Sequence, residues 1–204
     1  MLLVGIIKRD VTSILFRSGQ SAAFIGFFVM SSVMMAFALK GHVSFSHLGY
    51  PTIWVCALLA SLLMVEVLYK DDAIDGTLDQ FVLYGKPLWH IMVAKLVVHW
   101  CVTGVPILCV FPIIAVMFHV PLGAESMVSL LLGTVLMSMI SHVVAILSIG
   151  IAGRSSVIAV AMLPLYVPVI IFGVNQELLL SLALIMLLLP TTLLASYAAL
   201  KAQL

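Results

Sequence analysis

The stretch "YKDDAIDGTLDQ", residues 69–80, decides how this chain is organised, because it gathers charge that the rest of the sequence lacks. Four of the eight acidic residues stand in it: Asp71, Asp72, Asp75 and Asp79. Around it the chain is apolar, with 64% hydrophobic residues, 8% charged residues and a mean hydropathy of +1.32. A soluble domain carries about 25% charged residues. The composition therefore predicts an integral membrane protein.

Uncharged stretches divide the sequence into candidate membrane spans. Six of them are 22 to 29 residues long, and each exceeds the roughly 20 residues with which a helix crosses a bilayer. An all-α protein with six transmembrane helices is therefore predicted. The uncharged stretches are residues 18–39, 41–65, 96–124, 126–153, 155–176 and 178–200.

The basic residues predict the orientation. With six spans both termini lie on one side of the membrane, and that side would hold eight basic residues against Lys40 alone on the other. Because positive charge favours the inner side, both termini and residues 70–90 are predicted to be cytoplasmic. The eight basic residues are Lys8, Arg9, Arg17, Lys70, Lys86, Lys95, Arg154 and Lys201. The predicted outer loops are Lys40–Pro51, His119–Glu125 and Val174–Glu177.

The first twenty residues have a helical pattern of their own. At about 100° per residue, Leu3, Val4, Ile7, Val11, Ile14 and Leu15 share one face. The opposite face carries Lys8, Arg9, Thr12, Ser13 and Arg17. This pattern predicts an amphipathic helix in the inner membrane interface, with a break at Ser18-Gly19-Gln20. The alternative is that the segment simply extends the first span.

A short helix is predicted inside the acidic stretch. Thr77-x-x-Gln80 matches a capping box, in which two side chains satisfy free backbone N–H groups at a helix start. Gly85 and Pro87 supply a stop signal, so the helix would run from Leu78 to Tyr84. A capped, polar helix that projects from a cytoplasmic loop is suited to binding a partner protein.

The aspartates also permit an enzymatic interpretation. Asp71-Asp72-x-x-Asp75 has the DDxxD spacing with which some isoprenoid enzymes hold magnesium diphosphates, since Mg²⁺ prefers carboxylate oxygens. A membrane prenyl- or phosphatidyl-transferase is therefore the alternative function. It is disfavoured because such a site needs further carboxylates, and Glu125 and Glu177 fall on the predicted outer side.

Other chemistry is sparse in the sequence. No G-x-x-x-x-G-K-[ST] motif for ATP is present, the three cysteines form no C-x-x-C metal motif, and the net charge of +1 disfavours nucleic acid. His99 and His142 fall within predicted spans, where hydrogen bonding between helices is favoured over a direct functional role. Four prolines are expected to kink or break the third and fifth spans: Pro106, Pro112, Pro164 and Pro168.

Several motifs between Trp54 and Leu108 occur in a fixed order. An acidic residue precedes "KDD", then come "DGTLDQ", "PL" and a segment of the form AK…HW…TG-P. In this order the chain resembles the CcmB family, the membrane subunit of the ABC-type haem exporter of cytochrome c maturation. Asp79 stands where that family usually has Glu. The matching residues are Glu66, Lys70, Asp71, Asp72, Asp75, Gly76, Thr77, Leu78, Gln80, Pro87, Leu88, Ala94, Lys95, His99, Trp100, Thr103, Gly104 and Pro106.

The resemblance implies a single, non-enzymatic permease domain of the ABC-exporter type over residues 1–204, with an interfacial helix at 1–20 and a coupling helix within 70–90. The residues implied to bind the ATPase subunit are Asp71, Asp72, Asp75, Gly76, Thr77, Leu78, Asp79, Gln80 and Phe81. The implied functional candidates inside the membrane are Glu66, Lys95, His99 and Pro106.

The resemblance also implies partners and a location. The partners are an ATP-binding subunit, a haem-handling membrane subunit, a small accessory membrane subunit, a haem chaperone and membrane lipid. ATP would be bound by the partner subunit and haem handled by the whole complex, with no cofactor or metal on this chain. The expected location is the bacterial inner membrane, and the mitochondrial inner membrane is the alternative.

Overall fold

The computed structural model describes residues 2–17, 19–40, 45–65, 76, 88–148, 160 and 163–203. Within these residues the chain forms seven α-helices and no strand. The helices are α1 Leu2–Arg17, α2 Gln20–Leu39, α3 Phe45–Leu63, α4 Leu88–Met117, α5 Ala124–Ser148, α6 Leu163–Val174 and α7 Leu178–Gln203. The short helix predicted at Leu78–Tyr84 lies outside the described residues.

Four of these helices are long and apolar enough to cross a membrane: Ser21–Leu39, Trp89–Met117, Ala124–Ser148 and Leu178–Ala199. Two further apolar segments, His47–Leu63 and Leu163–Val174, are shorter. The prediction of an all-helical, multi-pass membrane protein is therefore confirmed. The number of six transmembrane helices stays a prediction.

The break predicted after the first helix is present. The helix α1 ends at Arg17 and α2 begins at Gln20, and Gly19 between them has φ +61°, in the left-handed region that favours glycine. The hydroxyl of Ser21 donates a 2.6 Å hydrogen bond to the carbonyl of Ile14. This bond is made to a carbonyl in the last turn of α1 and ties α1 to the start of α2.

Two predicted outer loops have different outcomes. The turn at Val174–Glu177 is confirmed, since α6 ends at Val174 and α7 begins at Leu178. The prediction of a loop at Lys40–Pro51 is wrong for its second half, because α3 already begins at Phe45 and contains Pro51. A proline removes one helical hydrogen bond. Packing of the fully buried Ile53 and Trp54 just beyond it compensates for that loss.

The prolines interrupt the helices less than expected. The helix α4 runs without a break from Leu88 to Met117 and contains both Pro106 and Pro112. These two residues therefore do not break the helix, and a kink at either of them stays a prediction. Membrane bundles tolerate such prolines because neighbouring helices and side chains satisfy the freed backbone groups. In α6, Pro164 lies in the first turn, where no helical donor is lost, and Pro168 lies inside the helix.

The core of the protein is built around α5. This helix packs against α3, α4, α6 and α7, and 72% of its apolar span is buried, against 11% for α7. The indole of Trp54 on α3 is fully buried and lies directly against Gly133 on α5 and Gly173 on α6. Neither glycine has room for a Cβ atom. These two glycines therefore let three helices meet around one aromatic ring.

Candidate functional site

The acidic stretch falls almost entirely outside the described residues. Of the residues implied to bind an ATPase subunit, only Gly76 is described, with φ +67° and open space around its Cα. A side chain at this position would strain the backbone. Glu66 also lies outside the described residues, whereas Lys95, His99 and Pro106 all stand on α4. The site that can be built from contacts therefore centres on α4.

A buried ion pair joins α1 to α4. The ammonium Nζ of Lys95 lies 2.8 Å from Oδ2 of Asp10, and the two side chains are only 3% and 5% exposed. The guanidinium Nε of Arg9 lies 2.7 Å from the other oxygen, Oδ1, but its side chain is 49% exposed. Buried charges are retained in proteins when they are paired. The carboxylate of Asp10 therefore binds one buried and one half-exposed cation.

Sequence reasoning missed Asp10. Among the side chains of α1 that the structure describes, Asp10 and Ile14 are buried, and Ile7, Val11 and Ser13 are partly buried. On a helical projection Asp10 lies only about 20° from Leu3, at the edge of the predicted apolar face. It lies equally close to Arg17 on the basic face, so Asp10 stands at the boundary between the two faces and the pattern alone did not predict its burial.

Two buried histidines lie near Lys95 in the bundle. His99 stands one turn further along α4 and is 2% exposed, and His142 on α5 is fully buried. His142 interacts electrostatically with both His99 and Lys95. Within the described part of the chain, neither ring nitrogen of His99 has a hydrogen-bond partner. The hydrogen bond between helices that was predicted for His99 is therefore not found among the described residues. The same prediction for His142 stays a prediction.

Hydroxyl groups line the contact between α4 and α5. Thr103 and Ser138 face each other with their oxygens 3.4 Å apart. Each hydroxyl also donates to a carbonyl of its own helix, at 2.7 Å for Thr103 and 2.8 Å for Ser138. Further along α5, the hydroxyls of Ser141 and Tyr166 are hydrogen-bonded at 2.8 Å and connect α5 to α6. The Ser141–Tyr166 hydrogen bond therefore holds α5 against α6, whereas Thr103 and Ser138 are polar groups satisfied within their own helices where α4 and α5 pack closely.

The half-buried Pro106 follows this row on α4. Its ring carries no N–H, so the carbonyl of Val102, four residues earlier, lacks its usual helical donor. Such a position bends more easily than the rest of a helix. Of the predicted membrane candidates, the structure thus brings Lys95, His99 and Pro106 onto one helix, with Asp10 and His142 as neighbours from α1 and α5.

The chemistry of this arrangement is limited. Among the described residues, no group of three or more His, Cys, Asp or Glu side chains could hold a metal ion. One carboxylate, one ammonium and two imidazoles are buried between helices, where the ion pair neutralises both charges. The arrangement is therefore suited to fixing the relative position of helices rather than to binding a hydrophilic substrate.

Comparison with known proteins decides the family. The family model described as CcmB protein matches residues 1–204. The chain belongs to the CcmB family. A CcmB relative in Haemophilus influenzae, named Heme exporter protein B, is 30% identical over 176 residues, which are 85% of this chain and 80% of the relative.

Two further CcmB relatives bear the same name, Heme exporter protein B. The relative in Bradyrhizobium diazoefficiens is 33% identical over 175 residues, or 84% of this chain and 79% of its own length. The relative in Pseudomonas aeruginosa is 38% identical over 123 residues, or 59% of this chain and 55% of its own length. The resemblance found in the sequence motifs is thereby confirmed, and a multi-pass CcmB membrane protein agrees with the apolar helices.

Proposed function

We propose that this chain is the membrane-spanning subunit of an ABC-type haem exporter that serves cytochrome c maturation. The single observation that carries the proposal is the match of the CcmB family model to residues 1–204. Its relatives bear the name Heme exporter protein B, and the four long apolar helices suit a membrane subunit. In this proposal the chain is not an enzyme, and a separate subunit hydrolyses ATP.

The proposed topology has six spans with both termini in the cytoplasm of a bacterial cell. Two of the six spans would be formed by α3 and α6, which the uncharged stretches 41–65 and 155–176 extend to a sufficient length. The excess of basic residues on one side supports the orientation. The helix α1 would then lie at the inner interface, attached to the bundle through Asp10.

The acidic stretch is proposed to bind the ATPase subunit. Asp71, Asp72 and Asp75 would present negative charge at a capped helix start to a basic cleft on the partner, and these acids would orient the partner more than they add affinity. The residues directly after the stretch lead into α4, which begins at Leu88. Movement of the bound ATPase subunit would therefore enter the bundle through α4.

Other partners follow from the same proposal. A haem-handling membrane subunit, a small accessory membrane subunit and a haem chaperone would complete the complex, and haem would be handled by the complex as a whole. The transferase alternative receives no support from the comparisons, which return the CcmB family and haem exporters.

The test uses a host whose own CcmB-family gene is deleted. The tagged chain should restore covalent haem attachment to c-type cytochromes, and a P-loop ATPase subunit should co-purify with it in mild detergent. Asp72→Lys combined with Asp75→Lys should remove the ATPase subunit from the complex and abolish maturation, because reversed charge adds repulsion.

A matched control reverses two acids on the predicted outer side. Glu125 and Glu177 are both exposed, and their joint change to Lys alters the net charge by the same amount. This control should leave ATPase binding intact. Metal-dependent transferase activity of the purified chain, with Asp72→Asn abolishing function in an assembled complex, would contradict the proposal and favour the enzyme.

A further inference from the structure

A buried carboxylate stands on the face with which α1 packs on the bundle. Ile7, Val11 and Ile14 around it contact the core, so an apolar side chain at position 10 would suit this face as well. Asp10 is instead 4% exposed and charged. Replacing a buried ion pair by apolar residues is often neutral or stabilising. Stability alone therefore does not explain why α1 carries Asp10.

Lys95 lies near the end of α4 that would receive movement from the acidic stretch. Lys95 lies seven residues beyond Leu88, roughly 10 Å along the helix axis. It is thus in the part of α4 that directly follows the acidic stretch. A displacement of that stretch would move this end of α4 first, and the ion pair would pull Asp10 with it.

The far end of α1 is attached to another helix. Ser21 of α2 donates its 2.6 Å hydrogen bond to the carbonyl of Ile14, one turn after Asp10. The helix α1 is therefore fixed to α4 by a buried ion pair and to α2 by a buried hydrogen bond. It links the helix that receives the movement to the first long apolar helix of the chain.

We infer that Asp10 is a positioning residue of the coupling mechanism, which rests on the proposed function: its ion pair with Lys95 makes α1 move together with α4 and passes the movement of the ATPase subunit on to α2. A charged pair suits this role because its attraction acts over a longer range than apolar contact, so it keeps α1 and α4 together while the helices shift.

The test separates positioning from mere stability. Asp10→Asn leaves the ammonium of Lys95 buried without its carboxylate and should lower the amount of folded chain. Asp10→Asn combined with Lys95→Met removes both charges and should restore the amount of chain and of bound ATPase subunit. Maturation per assembled complex should nevertheless stay about fivefold or more below wild type, the lower end of the usual range for coupling between sites.

Arg9→Met is the matched control. Like Lys95→Met, it removes one cation from Asp10, but that cation is half-exposed and solvent already screens it. Maturation per complex should stay near wild type in Arg9→Met and fall in Lys95→Met. If the double variant does not accumulate in the membrane, the comparison of Lys95→Met with Arg9→Met tests the inference instead.

Two results would overturn the inference. One is a double variant in which maturation recovers in proportion to the assembled complex, which would make the pair purely structural. The other is equal maturation per complex in Lys95→Met and Arg9→Met. Failure of the proposed function is distinguishable, because the wild-type chain itself would then bind no ATPase subunit or restore no maturation.

Discussion

Adding one methyl group at Gly133 or Gly173 should destabilise the bundle far more than the size of the change suggests. A Cβ atom at either glycine would overlap the Cη2 and Cζ3 atoms of Trp54. The indole can move aside only by disturbing its neighbours, because it is fully buried between α3, α5 and α6. Each alanine variant must therefore displace either the indole or a whole helix.

The magnitude follows from two opposing terms. Overpacking of a well-packed core costs about 1–3 kcal/mol. Alanine in place of glycine inside a helix gains up to about 1 kcal/mol. The added Cβ overlaps at least two ring atoms, so the upper part of the overpacking range applies, about 2–3 kcal/mol. The net loss is then about 1–2 kcal/mol, and at about 2–4 °C per kcal/mol for a chain of this size the melting temperature should fall by roughly 2–8 °C. Removal of the ring itself, by Trp54→Ala, should cost about 3–5 kcal/mol.

The assay is thermal unfolding of the purified chain in mild detergent, followed by size-exclusion chromatography of the remaining monodisperse protein. Gly26→Ala on α2 is the matched control, since no atom lies within 4 Å of an added Cβ there. It should leave the melting temperature unchanged or raise it. Trp54→Phe should partly rescue Gly133→Ala, because the smaller ring frees space. A Gly133→Ala variant as stable as Gly26→Ala would refute the reasoning.

Two further predictions concern topology and His99. A reporter fused after Leu204 or inserted within Asp71–Lys86 should read cytoplasmic, and one inserted at His42 or Val43, before α3, should read external. An external signal from Asp71–Lys86 would show that the excess of basic residues does not indicate the inner side. His99→Leu should raise the free energy of unfolding by about 1 kcal/mol or more, because it removes buried ring nitrogens that lack hydrogen-bond partners. A fall in stability would show that the imidazole makes a favourable contact, and maturation measured in parallel tests whether the histidine is functional.

Local features of the fold were predictable from the sequence because composition and short motifs determine them. Long uncharged stretches become helices in an apolar solvent, since every backbone polar group must be satisfied internally. The Ser18-Gly19-Gln20 break and the turn at Val174–Glu177 follow from residues that lie next to each other. Pro51 shows the limit of such reasoning: proline usually marks a helix end, but burial of Trp54 beyond it keeps α3 helical.

Features that join distant parts of the chain were not predictable in this way. Nothing in the sequence around Asp10 or Lys95 indicates that these two residues form a pair across 85 residues. Likewise, no motif around Gly133 or Gly173 predicts that these glycines pack against Trp54. Resemblance to the family indicated that Lys95 and His99 are candidate functional residues, but it did not say what their side chains do. The buried ion pair with Asp10 now gives Lys95 a structural role.

The placement of Trp54 also has a consequence for the order of events during synthesis. Its indole packs against Gly173, which the ribosome adds 119 residues later. At about 5–20 residues per second, this interval lasts roughly 6–24 s. In the proposed topology α3 enters the membrane during that time, and the part of the indole that Gly173 covers is still exposed to lipid or to the translocation machinery. The native core therefore closes only when the chain is almost complete, and a chain that stops before α6 would keep this surface open to quality-control proteases.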